Sequence, residues 1–356
     1  MRFHFFLIFF LLIINSPIIA QTVISGTVID DKTNEPIPGV NVYIAGTTIG
    51  SSTDRNGAFD FRTDLVGRQD IVASFIGYIT KVKSTQLGAK NRLELSFSIE
   101  ADILQLGEIQ VVGSNNIFLK QLDLFKTFFI GFDSYADQTI LQNSDVLDFE
   151  ENADGTKITV KSSSPLIIEN NALGYTYEIE LKQAYFNPND NTGFYKVYPR
   201  VIKMVAPNRR TERRWKSNRN TSYRGSSRHF FKSLIEEKLR QNRFKVYPND
   251  QIFVNYSDSL QHLKRWYPNN WEFSSQNYHI FKLNSEAIRI DYLQSRNSNI
   301  NQVAGYTKMS SIQIKGFPAV LIVNDAGILQ NSERVALYGD WNDRRFSNFL
   351  PLDYSN

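Results

Sequence analysis

The chain has 356 residues, of which 42% are hydrophobic, 21% are charged and none is cysteine. That length accommodates two domains with separate cores, and the apolar and charged fractions exclude a wholly disordered chain. The lack of thiols excludes a disulfide framework, thiol catalysis, thiolate metal sites and lipid attachment at a lipoprotein cysteine.

Residues 1–20 read as a secretory signal peptide. Met1-Arg2-Phe3-His4 gives a positive start, residues 5–14 are an unbroken apolar run, and Asn15-Ser16-Pro17 breaks it ahead of Ala20. That run is too short to span a bilayer as a helix, and no later run reaches the roughly 18 residues required, so no transmembrane helix is expected. The expected location is the periplasm, the outer membrane or the cell surface, without a lipid anchor.

In residues 21–113, short runs rich in Val, Ile, Thr and Tyr predict strands at 22–30, 40–45, 58–62, 70–76 and 93–99. Pro36-Ile37-Pro38-Gly39 punctuates them and blunts pairing at an edge. Asp54-Arg55-Asn56-Gly57 reads as a hairpin turn. The set Gly26, Val28, Asp30, Pro36, Gly39, Val40, Val42, Gly46, Thr47, Thr53, Asp54, Gly57 and Phe59 resembles the carboxypeptidase regulatory-like domain, a transthyretin-like β-sandwich. Gly77-Tyr78 and the exit at 106–113 look like the version found in Gram-negative envelope proteins. The resemblance implies a fold and leaves the activity open. Similar residues lead into the plug and barrel of TonB-dependent receptors. Only 243 residues follow Gly113 here, and a barrel of about 22 strands at about ten residues each does not fit.

Residues 114–356 read as a β-rich α+β domain. An apolar stripe over 118–130 predicts a helix stopped by Gly131. Asp154-Gly155 predicts a hairpin between 146–151 and 157–162, and Tyr175, Tyr177, Ile179 and Leu181 alternate with polar residues as in a half-buried strand. A strand over 194–204 follows. Helices are expected at 208–220 and 228–241, the second capped by Ser226 or Ser227. Strands are expected at 244–247, 251–256, 278–283, 287–293, 311–314 and 319–323, with a turn at 324–327.

No reaction announces itself. Three residues beyond His229, His262 and His279 stand Lys232, Arg265 and Lys282, so a His-x-x-Glu zinc site is missing. Gly-x-Ser-x-Gly and P-loop motifs are missing too. Ser226 and His229 share a turn but have no evident orienting acid. The distinctive segment is 207–232. It carries nine basic residues against the single acid Glu212, a net of +8 in a chain whose total is +4. On a helix, Glu212, Trp215, Arg219 and Tyr223 share one face. Arginines pair with phosphate or carboxylate, aromatics stack on sugars or shield cations, and a helix start at Ser226-Ser227 favours an anion.

The fold class expected is therefore mainly β: a transthyretin-like sandwich followed by a β-rich α+β domain. The function expected is that of an exported, non-enzymatic envelope protein with a binding or docking role. Its candidate anion- or partner-binding residues are Arg213, Arg214, Trp215, Arg219, Tyr223, Arg224 and Arg228, with no cofactor or metal. The partner would be an envelope glycan, a lipopolysaccharide phosphate or an outer-membrane protein, and not nucleic acid. A hydrolase of envelope polymers and an accessory subunit of an outer-membrane transport complex are the alternatives.

Overall fold

The computed structural model describes residues 21–88, 92–102, 115–189, 192–248, 278–283, 286–294, 307–316 and 319–355. The signal peptide expected at 1–20, the exit segment 106–113, the strand expected at 251–256 and His262 lie outside them.

The first unit packs two sheets face to face. β1 (Thr22–Asp30), β2 (Asn41–Ile44), β3 (Gly50–Ser52), β4 (Ala58–Thr63), β5 (Gly67–Ser74), β6 (Lys81–Leu87) and β7 (Arg92–Ile99) form sheets ordered β4-β1-β7 and β3-β2-β5-β6. All pairings are antiparallel except β1 with β7. Alternate inward residues, among them Ile24, Val28, Val42, Ile44, Ile71 and Phe97, fill the space between the sheets. Gly26 is required on β1, because an added Cβ would overlap the Leu95 carbonyl of β7. Asp54 Oδ1 accepts from the N–H groups of Asn56 and Ala58 at 2.8 and 2.9 Å, which makes the 54–57 segment a turn held by its own carboxylate. β3 and β6 escape the sequence reading, one being three residues long and the other a polar edge strand, Lys-Val-Lys-Ser-Thr-Gln-Leu.

The second unit is an antiparallel sheet covered by a helix. α1 (Asn115–Phe129) precedes β8 (Thr139–Leu141), β9 (Leu147–Glu151), β10 (Ile158–Ser162), β11 (Leu166–Asn170), β12 (Tyr175–Phe186) and β13 (Gly193–Lys203). The order is β8-β11-β12-β10-β9, and β13 pairs along the other side of β12. Leu122, Phe125, Phe128 and Phe129 of α1 bury against Leu166, Tyr177 and Ile179 of the sheet. The hairpin at Gly155 and the helix stop at Gly131 form as their positive φ values require.

α2 (Arg209–Tyr223) and α3 (Ser227–Ile235) lead into a second sheet region. Its strands are β14 (Phe244–Pro248), β15 (Tyr278–Lys282), β16 (Ala287–Leu293), β17 (Thr307–Ile314), β18 (Val320–Asn324) and β19 (Val335–Gly339), followed by a short α4 (Asp340–Asp343). They form sheets β14-β16-β17-β19 and β15-β18. Phe230, Phe231 and Leu234 of α3 share a core with Phe244, Ile290, Ile312 and Trp341. The described residues after 114 thus build two large cores and a small cluster of Ile280, Val320 and Ile322 between β15 and β18. α3 is shorter than its apolar pattern suggested, because the chain turns at Glu237 with φ of 57°.

The last residues strap the units together. Phe346 stacks on Phe129 at 4.6 Å, Asn170 Nδ2 donates to Ser347 O at 2.8 Å, and Tyr177 Oη donates to Phe349 O at 2.7 Å. Leu352 N then donates to Gly46 O at 2.8 Å, and Asp353 accepts from Thr48 N at 3.0 Å and from Thr48 Oγ1 at 2.5 Å. Gly46 N also donates to Pro199 O, and Val201 N to Thr47 O, so the β2–β3 turn of the sandwich lies against β13.

Candidate functional site

α2 starts at Asn208, whose Oδ1 accepts from Thr211 N at 2.9 Å. Its inner face grips the loop between β11 and β12. Trp215, 5% exposed, donates from Nε1 to Asn171 O at 2.8 Å, and Asn218 Nδ2 donates to Ala172 O at 2.8 Å. Arg219 Nε donates to Leu173 O at 2.7 Å while its guanidinium lies 4.3 Å from the Tyr175 ring centroid. Gly174, with φ of 71°, makes room for the indole, which an added Cβ would overlap.

Of the helical face expected to unite Glu212, Trp215, Arg219 and Tyr223, the last three turn inward in this fold and Glu212 stays exposed. Tyr223 is half-buried, 5.0 Å from the His229 ring and 6.1 Å from Tyr354, and burial pushes its hydroxyl pKa up. Arg228 reaches the strap. Its Nη1 donates to Pro351 O at 2.7 Å, and its Nη2 donates to Leu352 O at 2.6 Å and Tyr354 O at 2.9 Å. Four members of the set, Trp215, Arg219, Tyr223 and Arg228, thus hold secondary structure together.

Arg213, Arg214 and Arg224 are exposed, and so are Arg209, Arg210 and Lys216, which the segment count included. Among the described residues none of these six makes an ion pair. Arg209, Arg213 and Lys216 are spaced i, i+4, i+7, and Arg210 and Arg214 are spaced i, i+4. Five cations therefore share about 10 Å of helix axis. They crowd the N-terminal half, where the helix dipole is positive, and the first turn carries one acid, Glu212.

His229 and His279 are engaged locally. Ser226 Oγ accepts from His229 N at 3.1 Å as the cap of α3, and His229 Nδ1 accepts from Gly225 N at 3.1 Å, so the two side chains are not disposed as nucleophile and base. Burial, reinforced by Arg224 and Arg344, pushes the His229 pKa down to about 4. His279 Nε2 lies 2.7 Å from Asp325 Oδ1. Among the described residues no group of three or more His, Asp or Glu could hold a metal, and no helix is long and apolar enough to cross a membrane.

Residues 24–111, which span the two packed sheets, match the family model of the CarboxypepD_reg-like domain. This stretch is a carboxypeptidase regulatory-like domain. The chain is also 34% identical, over 94 residues, to TonB-dependent receptor P39 of Formosa agariphila. That alignment covers 26% of this chain and 8% of the receptor, so the chain matches under a tenth of that relative's length. Among solved structures, a type II cohesin–X-dockerin complex from Acetivibrio cellulolyticus is 24% identical over 33% of this chain and 83% of the other, at a TM-score of 0.21. A candidate carbohydrate-binding protein from Bacteroides uniformis is 10% identical over 85% of this chain and 98% of the other, at a TM-score of 0.19. Likenesses at such scores carry no functional argument.

Proposed function

We propose that this chain is an exported, non-enzymatic envelope protein whose exposed α2 cations bind an anionic envelope component, a phosphorylated or carboxylated glycan. One observation carries the reading. Arg209, Arg210, Arg213, Arg214 and Lys216 oppose both each other and the helix dipole, and among the described residues no ion pair offsets them. Like charges at i, i+4 cost about 0.2–0.5 kcal/mol per pair, and cations in a first turn cost about 0.3–1 kcal/mol each. A local rule broken without a structural return marks a surface kept for a ligand. Trp215 and Arg219 anchor the helix that displays these charges.

The test uses the mature protein and purified lipopolysaccharide, intact and dephosphorylated. The intact form should bind with an affinity that falls steeply with salt. Arg209→Glu combined with Arg210→Glu should weaken that binding about tenfold or more, flatten the salt slope, and raise thermal stability slightly. Unchanged affinity and slope in the double variant would remove α2 from the account.

A second reading, an accessory subunit of an outer-membrane transport complex, is supported by the regulatory-like domain shared with a TonB-dependent receptor. The sandwich offers a contact there at its 76–80 loop, where Ile76 is 85% exposed. This reading predicts copurification with an integral barrel, and fails if the protein fractionates alone.

A further inference from the structure

The exposed cations of α2 stand in two rows. Arg209, Arg213 and Lys216 follow one another at i, i+4 and i+7 along one side of the helix, about 6 and then about 4.5 Å apart along the axis. Arg210 and Arg214 lie roughly 100° round the helix from them. Arg213 Nε donates to Arg209 O at 3.3 Å, which ties the middle guanidinium back along its row. Its two Nη groups meet no acceptor among the described residues. Glu212, exposed one turn before Lys216, flanks the row. Beyond Lys216 the exposed side continues with Ser217 and Thr221, both uncharged, and ends at Arg224.

The chemistry missing from this side narrows the ligand. Between residues 209 and 224 no apolar or aromatic side chain is exposed, since Trp215 is buried and Tyr223 half-buried. A helix that lies on a membrane surface needs an apolar face beside its cations. A site for single-stranded nucleic acid needs rings on which bases can stack. A hydrophilic polyanion needs neither, but its charges must recur about once per helical turn, ~5.4 Å, to meet Arg209, Arg213 and Lys216 in succession. A chain of 1,4-linked pyranoses with one carboxylate on each ring has about that repeat, and each carboxylate is a planar match for a guanidinium fork.

We propose, resting on the anion-binding reading above, that α2 seats a linear polyuronate, a glycan with one carboxylate per sugar, laid along the helix so that Arg209, Arg213 and Lys216 each take one ring. A single phosphate monoester at the end of a sugar chain would engage one cation and leave the rest of the row unmatched. Past Lys216 the uncharged Ser217 and Thr221 offer the next carboxylate no cation, which limits the seat to about three rings.

Galacturonate oligomers of one to five rings, titrated calorimetrically into the mature protein, read out the row. Affinity should climb about threefold or more with each ring up to the trimer and level off beyond it, and the salt slope should steepen by about 0.7 per ring over the same range. The methyl-esterified trimer, alike in shape and uncharged, should not bind. Arg213→Gln with Lys216→Gln should bring the trimer down to the affinity of the monomer. Arg210→Gln with Arg214→Gln removes the same charge off the row and should cost about threefold or less. All four positions are exposed, so the melting transition should be kept in both variants. Affinity independent of length, equal losses in the two double variants, or tighter binding of a single-stranded oligonucleotide of the same charge would overturn the inference. Phosphate-dependent lipopolysaccharide binding that Arg209→Glu with Arg210→Glu abolishes would then leave the wider anion reading standing, so the two fail separately.

Discussion

Acidification puts the packing around His229 to a quantitative test. The imidazole lies among Tyr223, Phe244 and Tyr292, with ring centroids at 5.0, 4.9 and 5.9 Å. Accepting the Gly225 N–H on Nδ1 places the hydrogen of the neutral ring on Nε2, and protonation would destroy that acceptor. Burial first, then Arg224 and Arg344, lowers the pKa from 6.5 to about 4. The unfolded chain therefore binds a proton here that the folded chain refuses, and stability falls as pH drops from about 6.5 toward 4. At 1.36 kcal/mol per pH unit, that interval corresponds to about 3 kcal/mol, all of it present above the unfolded value. Urea unfolding at steps between about pH 8 and 4, followed by tryptophan fluorescence, compares the native protein with His229→Phe. The phenyl ring keeps the aromatic contacts and loses the Gly225 acceptor at every pH. Its stability should be lower near neutrality, and its decline with acid shallower by about 3 kcal/mol over the interval. Parallel declines in the two proteins would refute the reasoning.

Two further outcomes follow from packing. Gly174→Ala forces a side chain into a left-handed conformation and against the Trp215 indole, so it should cost about 3 kcal/mol and lower the melting temperature of the α2-covered sheet. Asp353→Ala removes both acceptors of Thr48 at a half-buried contact. It should cost about 1 kcal/mol and speed limited-proteolytic release of the regulatory-like domain, and an unchanged release rate would show that the strap does not hold the sandwich.

The sandwich was legible because its signals are local. Glycines and prolines at turns, Asx turns and period-2 alternation depend on backbone sterics and single-strand burial, so β1, β4 and β7 emerge within two residues of their observed bounds. α1, α2 and the Ser226 cap were legible for the same reason. β8, β11 and β19 were missed, since short strands owe their conformation to neighbours far away in sequence. The basic segment was conspicuous as charge, but its division of labour was not. Whether an arginine meets a carbonyl or solvent depends on where the loop 171–174 and the strap 346–355 come to rest. Arg344, more than a hundred residues beyond α2, carried no signal that it would face Ser222.

Residue order alone determined a mainly β protein, a carboxypeptidase regulatory-like domain at residues 24–111, and the concentration of cations in one stretch. Tertiary contact alone decided which of those cations are spent on holding the fold, and that the final residues join the units. Charge and turn propensity belong to single residues, whereas burial belongs to pairs that meet only when the chain has folded.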